Sequence, residues 1–257
     1  NKLIKVIKNK KNTDKSYSSI KAINKSKFRN IIMNIGILTN LNDELLPFLL
    51  KKIKNLKKIN FYLIISKTKN DNFKSQNIFK ERTGNYFLKH NLDLFNINLN
   101  YPVFLVNSHN SKKFHKIIKL NNIKYLYNSM TMNKINKVTL KKVKGIINIH
   151  PGVLPYYRGC TCPEWTLFNK DALGITAYYM DDGYDSGKII EIKYLKFKKA
   201  DIREYKDIRI KFFLETFKLA KKIFKKIENI KVYPQDIDKK KYYNVIKNKY
   251  LSKIKKE

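Results

Sequence analysis

Short apolar runs alternate with amphipathic stretches along the chain from residue 31 onward. The first run, at 31–38, is rich in isoleucine and predicts a buried strand. The next stretch keeps helical spacing to about Leu56, and Asn42 stands where a helix cap is expected. Further strands are predicted at 61–65, 92–97, 123–128, 145–150, 175–180 and 188–197, and further helices at 76–90, 111–120, 134–143 and 202–229. Strands that alternate with helices favour an α/β fold with a Rossmann-like, mostly parallel sheet, helices on both faces and a small C-terminal appendage.

The same pattern divides the chain into three regions. Residues 1–30 form a basic N-terminal extension, with ten basic residues against a single acidic one. Residues 31–200 form the main α/β domain, and residues 201–257 form a C-terminal helix and a basic tail. That helix has its apolar residues at helical spacing, at Ile208, Phe212, Leu219, Ile223 and Ile227. The extension could instead be an organelle transit segment, and both interpretations stay open.

The chain is strongly basic, with 56 Lys and Arg against 20 Asp and Glu, a net charge of +36. Such a charge attracts polyanions, above all nucleic acid. Only five of the 56 basic residues are arginine. The planar guanidinium of arginine recognises phosphates and bases better than the ammonium group of lysine does. The excess is lysine, and it comes with abundant asparagine and isoleucine, as AT-rich coding produces. We therefore interpret most of the charge as drift in composition.

The sequence predicts a cytoplasmic protein with no membrane partner. No apolar run approaches the roughly 18 residues of a membrane-spanning helix, and the start has no secretory signal. The two cysteines, Cys160 and Cys162, are separated by one residue, where a disulfide would be strained. We expect both to be reduced thiols.

Residues 145–187 differ from the rest of the chain in composition. They carry two basic residues and five acidic ones, a net charge of −3 (2 minus 5). They also hold six of the eight glycines, three of the six prolines, both cysteines and the only tryptophan. Because glycine and proline mark special backbone geometry, we expect the chemistry of the protein in this segment.

A polar pair ends the predicted strand at 145–150. Asn148 and His150 are two residues apart, so their side chains share a face at the strand end where ligands bind in parallel sheets. Asn supplies an amide donor, and His exchanges a proton near neutral pH. The loop at 180–187 offers three carboxylates between glycines, and one of them can orient the imidazole if the loop folds back. A single His at a strand end is more often structural, but the combination favours catalysis.

Other common sites find no support in the sequence. Neither a G-x-G-x-x-G nor a G-x-x-x-x-G-K-[ST] motif occurs, which argues against NAD and ATP. His150 has no second histidine at ligand spacing, so we expect no metal. We expect His90, His109 and His115 at the surface or in loops, and Trp165 in the core.

Three stretches together resemble the 10-formyltetrahydrofolate-dependent formyltransferases: Asn148-x-His150, the HPGVLPYYRG run after it, and DDGYDSG at 181–187. That family includes methionyl-tRNA formyltransferase, glycinamide ribonucleotide formyltransferase and the sugar N-formyltransferases. The resemblance covers about 31–245 and identifies 31–200 as the catalytic domain.

The resemblance implies a site and a reaction. It implies that Asn148, His150 and Asp185 are catalytic, with Asn148 and protonated His150 stabilising the oxygen that becomes negative when an amine attacks the formyl carbon, and with Asp185 orienting His150. It implies that the cofactor, 10-formyltetrahydrofolate, contacts Asn128, Ser129, Met130, Asp181, Asp182 and Gly183. It further implies that the acceptor contacts Arg158, Gly159, Cys160 and Trp165.

The choice of acceptor rests on the same resemblance. The stretches at 81–84, 108–111 and 157–165 are most similar to sugar N-formyltransferases, so we favour the amine of a nucleotide-linked amino sugar. Methionyl-tRNA is the alternative that suits the +36 charge, although we expect too few residues after 236 for the OB-like domain of the tRNA enzymes. A catalytically silent RNA-binding module is the alternative of another class. The sequence is also compatible with a homodimer.

Overall fold

The computed structural model describes residues 33–67, 73–90, 101–131, 134–197 and 205–254. Seven strands form one sheet: β1 (Met33–Asn40), β2 (Ile59–Ser66), β3 (Val103–Val106), β4 (Tyr125–Asn128), β5 (Gly145–His150), β7 (Gly174–Tyr179) and β8 (Ile189–Tyr194). Their order is β3-β2-β1-β4-β5-β7-β8. The first five are parallel, and β7 is antiparallel to both β5 and β8. The mostly parallel sheet is therefore confirmed.

Helices cover both faces of this sheet. The helices of the described residues are α1 (Leu46–Ile53), α2 (Phe73–Arg82), α3 (Tyr86–Lys89), α4 (Lys112–Leu120), α5 (Lys137–Leu140), α6 (Cys162–Phe168), α7 (Tyr205–Lys225) and α8 (Asn248–Ile254), with a 3-10 turn at Ile227–Asn229. The last of them, α8, packs on α6. Ile35 and Ile37 of β1 lie in one buried cluster with residues of α1 and α7, and Leu38 lies in another with residues of α4. Because β1 is covered on both sides, its burial does not alternate along the strand, and seven of its eight residues are buried.

The C-terminal helix follows its predicted pattern. Its residues Ile208, Phe212, Leu219 and Ile223, together with Ile227 of the 3-10 turn, are all buried in the cluster that contains α1. Each such side chain contributes about 1.5–3 kcal/mol on burial. The domain boundaries at 30 and 200 stay predictions, and residues 1–30 lie outside the described part of the chain.

Several predicted helices begin or end at other residues in the structure. The first helix is not capped by Asn42; instead Asp43 accepts hydrogen bonds from the backbone N–H groups of Leu45 (2.9 Å) and Leu46 (3.0 Å). The helix predicted at 76–90 is two helices, α2 and α3, because Gly84 and Asn85 between them adopt φ values of +56° and +57°. The helix predicted at 134–143 is only the short α5, whereas Ser111 does cap α4.

The sequence did not predict strand β3, which lies at the edge of the sheet. The strand has only four residues and directly follows Pro102, so it leaves little pattern in the sequence. The strand predicted at 92–97 lies outside the described residues. Within the described residues, no helix is long and apolar enough to cross a membrane.

A second, two-stranded sheet links distant parts of the chain. Strand β6 (Arg158–Gly159) pairs in parallel with β9 (Tyr242–Tyr243). The backbone N–H groups of Arg158 and Cys160 donate to the carbonyls of Lys241 and Tyr243. The C-terminal segment thus returns to the loop that follows β5.

Candidate active site

The carboxyl end of β5 carries Asn148 and His150 on one face of the strand. Strand β7 runs antiparallel beside it, with Asn148 opposite Tyr178 and His150 opposite Thr176. Asn148 is half-buried and His150 is 4% exposed. The site is therefore built on β5 and β7, which are neighbouring strands of the sheet.

His150 has an acceptor oxygen at each ring nitrogen. Its Nε2 lies 2.7 Å from the carbonyl oxygen of Tyr157, and its Nδ1 lies 3.5 Å from Oδ1 of Asp185. Gly152 leaves the room for this arrangement, because a Cβ there would lie 3.0 Å from Nε2 and 2.8 Å from the same carbonyl. A doubly protonated ring can donate at both ends.

Asp185 is brought to His150 by a tight loop after β7. The residue adopts a φ of +53°, a left-handed conformation that non-glycine residues rarely take. Strained backbone of this kind is found most often at functional sites. Gly187 allows the loop to close, since a Cβ there would lie 1.7 Å from the carbonyl oxygen of Tyr179. The carboxylate accepts from the Tyr178 hydroxyl at Oδ1 and from the Gly159 N–H at Oδ2, each at 2.9 Å. The structure thus brings the three residues expected to be catalytic together.

Asn148 is held by two side chains. Its Oδ1 accepts from Nδ2 of Asn128 at 3.2 Å, and its Nδ2 donates to the Tyr178 hydroxyl at 3.0 Å. Asn128 is itself fixed, because its Oδ1 accepts from the backbone N–H of Thr131 at 2.9 Å. The predicted cofactor residue Asn128 therefore contacts the catalytic candidate directly.

Ser129 and Met130 continue from the end of β4. The Ser129 hydroxyl donates to Oδ2 of Asp43 at 2.6 Å, and the Met130 carbonyl accepts from Asn40 at 2.9 Å. Asp43 also accepts from the Thr39 hydroxyl and from the first turn of α1, and burial raises the pKa of its carboxyl despite these donors. Asp43 fixes this segment, and sequence reasoning assigned it no such role.

The predicted cofactor residues of the acidic loop lie at the surface beside the site. Asp181 accepts from the Gly183 N–H at 3.0 Å and from the Ser186 hydroxyl at 2.6 Å. Asp182 pairs with the exposed Lys137 at 2.9 Å, and this hydrogen bond lowers the pKa of Asp182 and raises that of Lys137. The loop is thus held by Asp181 from within and by Lys137 of α5 from outside.

Gln235 is, like Asp43 and Tyr178, a residue of the site that the sequence did not indicate. Its Nε2 donates to the carbonyls of Asp185 (2.9 Å) and Gly187 (2.8 Å). Its Oε1 accepts from Nε and Nη2 of Arg158 at 3.2 and 2.7 Å. Its role depends on a contact across 50 residues, which no local pattern in the sequence indicates.

The remaining predicted acceptor residues lie in the stretch from β6 to α6. Gly159 has a φ of +91°, and Cys160 after it is exposed. Desolvation raises the pKa of both thiols, Cys160 and the buried Cys162. Trp165 is half-buried rather than in the core, and its indole N–H donates to the carbonyl of Asn244 at 2.8 Å.

Beneath this loop, a buried ion cluster ties three helices together. Glu164 of α6 is 0% exposed and pairs with Arg82 of α2 at 3.3 Å and with Arg209 of α7. His109 lies in a turn, in agreement with the expected loop position, but it is buried rather than at the surface: it is 4% exposed, and its Nε2 contacts the Ile64 carbonyl at 2.9 Å. His115 is half-buried and contacts Thr139, and His90 is exposed. In the described part of the chain, no group of three His, Cys, Asp or Glu residues could hold a metal.

Comparison with known proteins identifies relatives of this arrangement. Residues 102–212 match the protein family described as Formyl transferase. A methionyl-tRNA formyltransferase of Syntrophus aciditrophicus (strain SB) is 47% identical over 47 residues, which are 18% of this chain and only 15% of that protein.

Two solved structures share the fold. A 4-N formyltransferase from Francisella tularensis has a TM-score of 0.55 and 20% identity over 83% of this chain and 76% of that one. An N-formyltransferase from Helicobacter canadensis, in complex with folinic acid and dTDP-3-aminofucose, has a TM-score of 0.53 and 17% identity over 82% and 71%.

Proposed function

We propose that this chain, whose residues 102–212 match the formyl transferase family, transfers a formyl group from 10-formyltetrahydrofolate to a primary amine of a nucleotide-linked amino sugar. The observation that carries the proposal is the meeting of Asn148, His150 and Asp185 at the end of β5. The imidazole faces the carboxylate, and the Tyr178 hydroxyl joins the amide to that carboxylate. Such a group supplies what acyl transfer to an amine requires: an oxyanion donor and a proton carrier.

The chemistry of the residues beside this trio fits a reduced folate. A pterin ring carries amide and amine groups in one plane, and such a ring is recognised by donors and acceptors at fixed positions. The segments 128–131 and 181–185 offer amide, hydroxyl, carboxylate and peptide groups that are each fixed by hydrogen bonds. In the proposal, Asn128, Ser129, Met130, Asp181, Asp182 and Gly183 hold the folate. When bound, it supplies the formyl group on one of its nitrogens.

Each catalytic candidate then has a distinct task. Asn148 uses one Nδ2 hydrogen on Tyr178, and the other is left to donate to the formyl oxygen as it becomes negative. His150 in its doubly protonated form places a positive charge beside the same oxygen. It gives one proton to the leaving nitrogen, and the neutral ring then takes one from the attacking amine, so that it returns to its starting form. Asp185 orients the ring, and the 3.5 Å contact is of the kind that shortens when the reacting molecules bind. Each oxyanion donor contributes about 10²–10³ in rate.

The acceptor assignment is supported by the loop after β5. Arg158 uses two of its five N–H groups on Gln235, and within the described residues the other three are left for a phosphate of the acceptor. Gly159 and Cys160 follow it directly, and Trp165 lies just beyond them in α6. The Helicobacter canadensis relative was crystallised with a nucleotide-linked amino sugar, which favours the same class here. We place the reaction in the cytoplasm, without a membrane partner, and a homodimer is compatible with it.

Methionyl-tRNA is the second candidate acceptor. The identity of 47% to a methionyl-tRNA formyltransferase, although over 47 residues, favours it, as does the net charge of +36. RNA binding without catalysis is the third alternative. Either RNA alternative predicts binding that weakens steeply with salt, because lysines release counterions from the phosphates.

A thermal-shift panel followed by mass spectrometry separates these functions. The panel contains folinic acid, dTDP- and UDP-linked amino sugars, and initiator methionyl-tRNA. We expect folinic acid and a nucleotide sugar each to raise Tm, since a ligand that binds only the folded state stabilises it. With the formyl donor, the amino sugar should then gain the mass of one formyl group. Stabilisation by tRNA alone, without any formylated product, would contradict the proposal.

A further inference from the structure

The hydroxyl of Tyr178 lies between two of the catalytic candidates. It is 3.0 Å from Nδ2 of Asn148 and 2.9 Å from Oδ1 of Asp185. The same Oδ1 faces Nδ1 of His150 at 3.5 Å. One phenolic oxygen therefore joins the amide at the end of β5 to the carboxylate of the following loop.

The direction of each of these hydrogen bonds follows from which groups can donate a proton and which can only accept one. The ionised carboxylate of Asp185 can only accept, so the Tyr178 hydroxyl gives its single proton to Asp185. The lone pairs of the hydroxyl then face Asn148, and only the NH₂ end of that amide can be satisfied there. Burial holds the pKa of Tyr178 well above its ordinary value, so the hydroxyl keeps its proton.

The other end of the amide is determined in the same way. The backbone N–H of Thr131 donates to Oδ1 of Asn128, so the NH₂ group of Asn128 points at Asn148. That NH₂ group requires the oxygen of Asn148. Both neighbours thus select one of the two orientations that an asparagine amide can take, and the reversed orientation would bring donor against donor and acceptor against acceptor.

We propose that Tyr178 is a positioning residue that transmits the charge of Asp185 to Asn148 and fixes its amide with NH₂ toward the reacting oxygen. This inference rests on the proposed formyl transfer, because it assigns the purpose of that orientation. Asn148 can donate to an oxyanion only if its NH₂ end faces the site, so its contribution to the rate depends on the orientation of its amide.

The fold holds the tyrosine ring in the place that this task requires. Tyr178 is 3% exposed and packs with Leu154 and Ile189 in a small buried cluster. Its position opposite Asn148 is set by the register of β5 and β7, and the pairing of β7 with β8 shifts between Ala177 and Tyr178. Such irregularities re-aim a side chain. The hydroxyl therefore has little freedom to choose other partners.

The test compares Tyr178→Phe with a matched control, Tyr179→Phe. The control removes a hydroxyl from the next residue of the same strand, whose ring lies over Gly145 on the other side of the sheet. For Tyr178→Phe we expect kcat to fall about tenfold with KM nearly unchanged. This is less than the ~10²–10³-fold loss of a whole oxyanion donor, because Asn128 still holds Oδ1. Tyr179→Phe should keep the wild-type kcat.

An independent readout follows the Asn148 side chain itself in the full protein by ¹⁵N NMR, with its NH₂ signals assigned through their loss in Asn148→Asp. In Tyr178→Phe we expect these signals to shift and their exchange with water to quicken about tenfold, roughly the loss of one hydrogen bond; in Tyr179→Phe they should not change. If Tyr178→Phe melts early, all three proteins are compared at a temperature well below its Tm.

The outcomes separate this inference from the proposed function. If the wild-type protein formylates an acceptor but Tyr178→Phe matches Tyr179→Phe in kcat, the inference is overturned. Unchanged Asn148 signals in Tyr178→Phe also overturn it. If the wild-type protein formylates none of the amines, the proposed function fails, and the NMR comparison alone decides whether Tyr178 orients Asn148.

Discussion

Replacing Asp185 by Asn exchanges one carboxylate oxygen for an NH₂ group at the centre of the site. The carboxylate accepts from the Gly159 N–H and the Tyr178 hydroxyl and faces Nδ1 of His150. If the new amide oxygen keeps the bond to Gly159, the NH₂ group faces His150. Because Nε2 of His150 gives its proton to the Tyr157 carbonyl, Nδ1 must then accept and the ring cannot carry a second proton.

The magnitude follows from that loss. A wrong histidine tautomer costs about 10⁴ in kcat in a serine-protease triad, and one oxyanion donor is worth about 10²–10³. We expect kcat of Asp185→Asn to fall about 10³-fold, or about 4 kcal/mol in the activation barrier. Stability should change far less, since roughly one hydrogen bond of about 1 kcal/mol is lost and Tm falls by about 2–4 °C.

The assay is steady-state formyl transfer with 10-formyltetrahydrofolate and the amine found in the acceptor panel, together with a thermal melt. The matched control is Asp238→Asn, the same substitution at an exposed carboxyl in the C-terminal segment, which should keep the wild-type kcat. A kcat of Asp185→Asn within tenfold of the wild-type value would refute the reasoning, because His150 would then not need the carboxylate.

Three further predictions concern the surroundings of the site. Gln235→Leu should remove both donors to the 185–187 backbone and leave Arg158 without its acceptor, lowering the free energy of unfolding by about 1–3 kcal/mol in urea melts and reducing kcat. Glu164→Gln should leave two buried guanidinium groups uncompensated and cost about 3–5 kcal/mol, seen as a lower Tm at unchanged KM. Native protein should react with iodoacetamide at Cys160 and not at buried Cys162. Because burial raises the pKa of the Cys160 thiol, its labelling rate should still climb above about pH 9. Labelling of both thiols at pH 8 would contradict this prediction.

The sheet and the polar pair of β5 could be predicted from the sequence because both depend on local periodicity. Alternating apolar runs indicated the parallel strands, and the two-residue spacing of Asn148 and His150 put them on one face, as the structure shows. Asp185 came from the resemblance of the 181–187 loop, and its contact with His150 is present.

The partners of that pair could not be predicted, because they depend on register and on distant returns of the chain. Tyr178 meets Asn148 only through the alignment of β5 with β7, and Gln235 reaches Asp185 across 50 residues. The cap at Asp43 was misjudged for a smaller reason: Asn42 and Asp43 are adjacent, and Pro47 near the start of α1 moves the beginning of that helix. The roles of the cofactor and acceptor residues stay predictions.

The most direct test of the central claim follows the formyl carbon itself. The wild-type protein is incubated with 10-formyltetrahydrofolate labelled with ¹³C in the formyl group and with a nucleotide-linked amino sugar, and the sugar is analysed by mass spectrometry beside an Asn148→Ala/His150→Ala double variant. The account predicts that the sugar gains one labelled formyl group on its amine with the wild-type protein and none with the variant. Labelled product at equal rates from both proteins, or transfer to methionyl-tRNA but to no amino sugar, would contradict it.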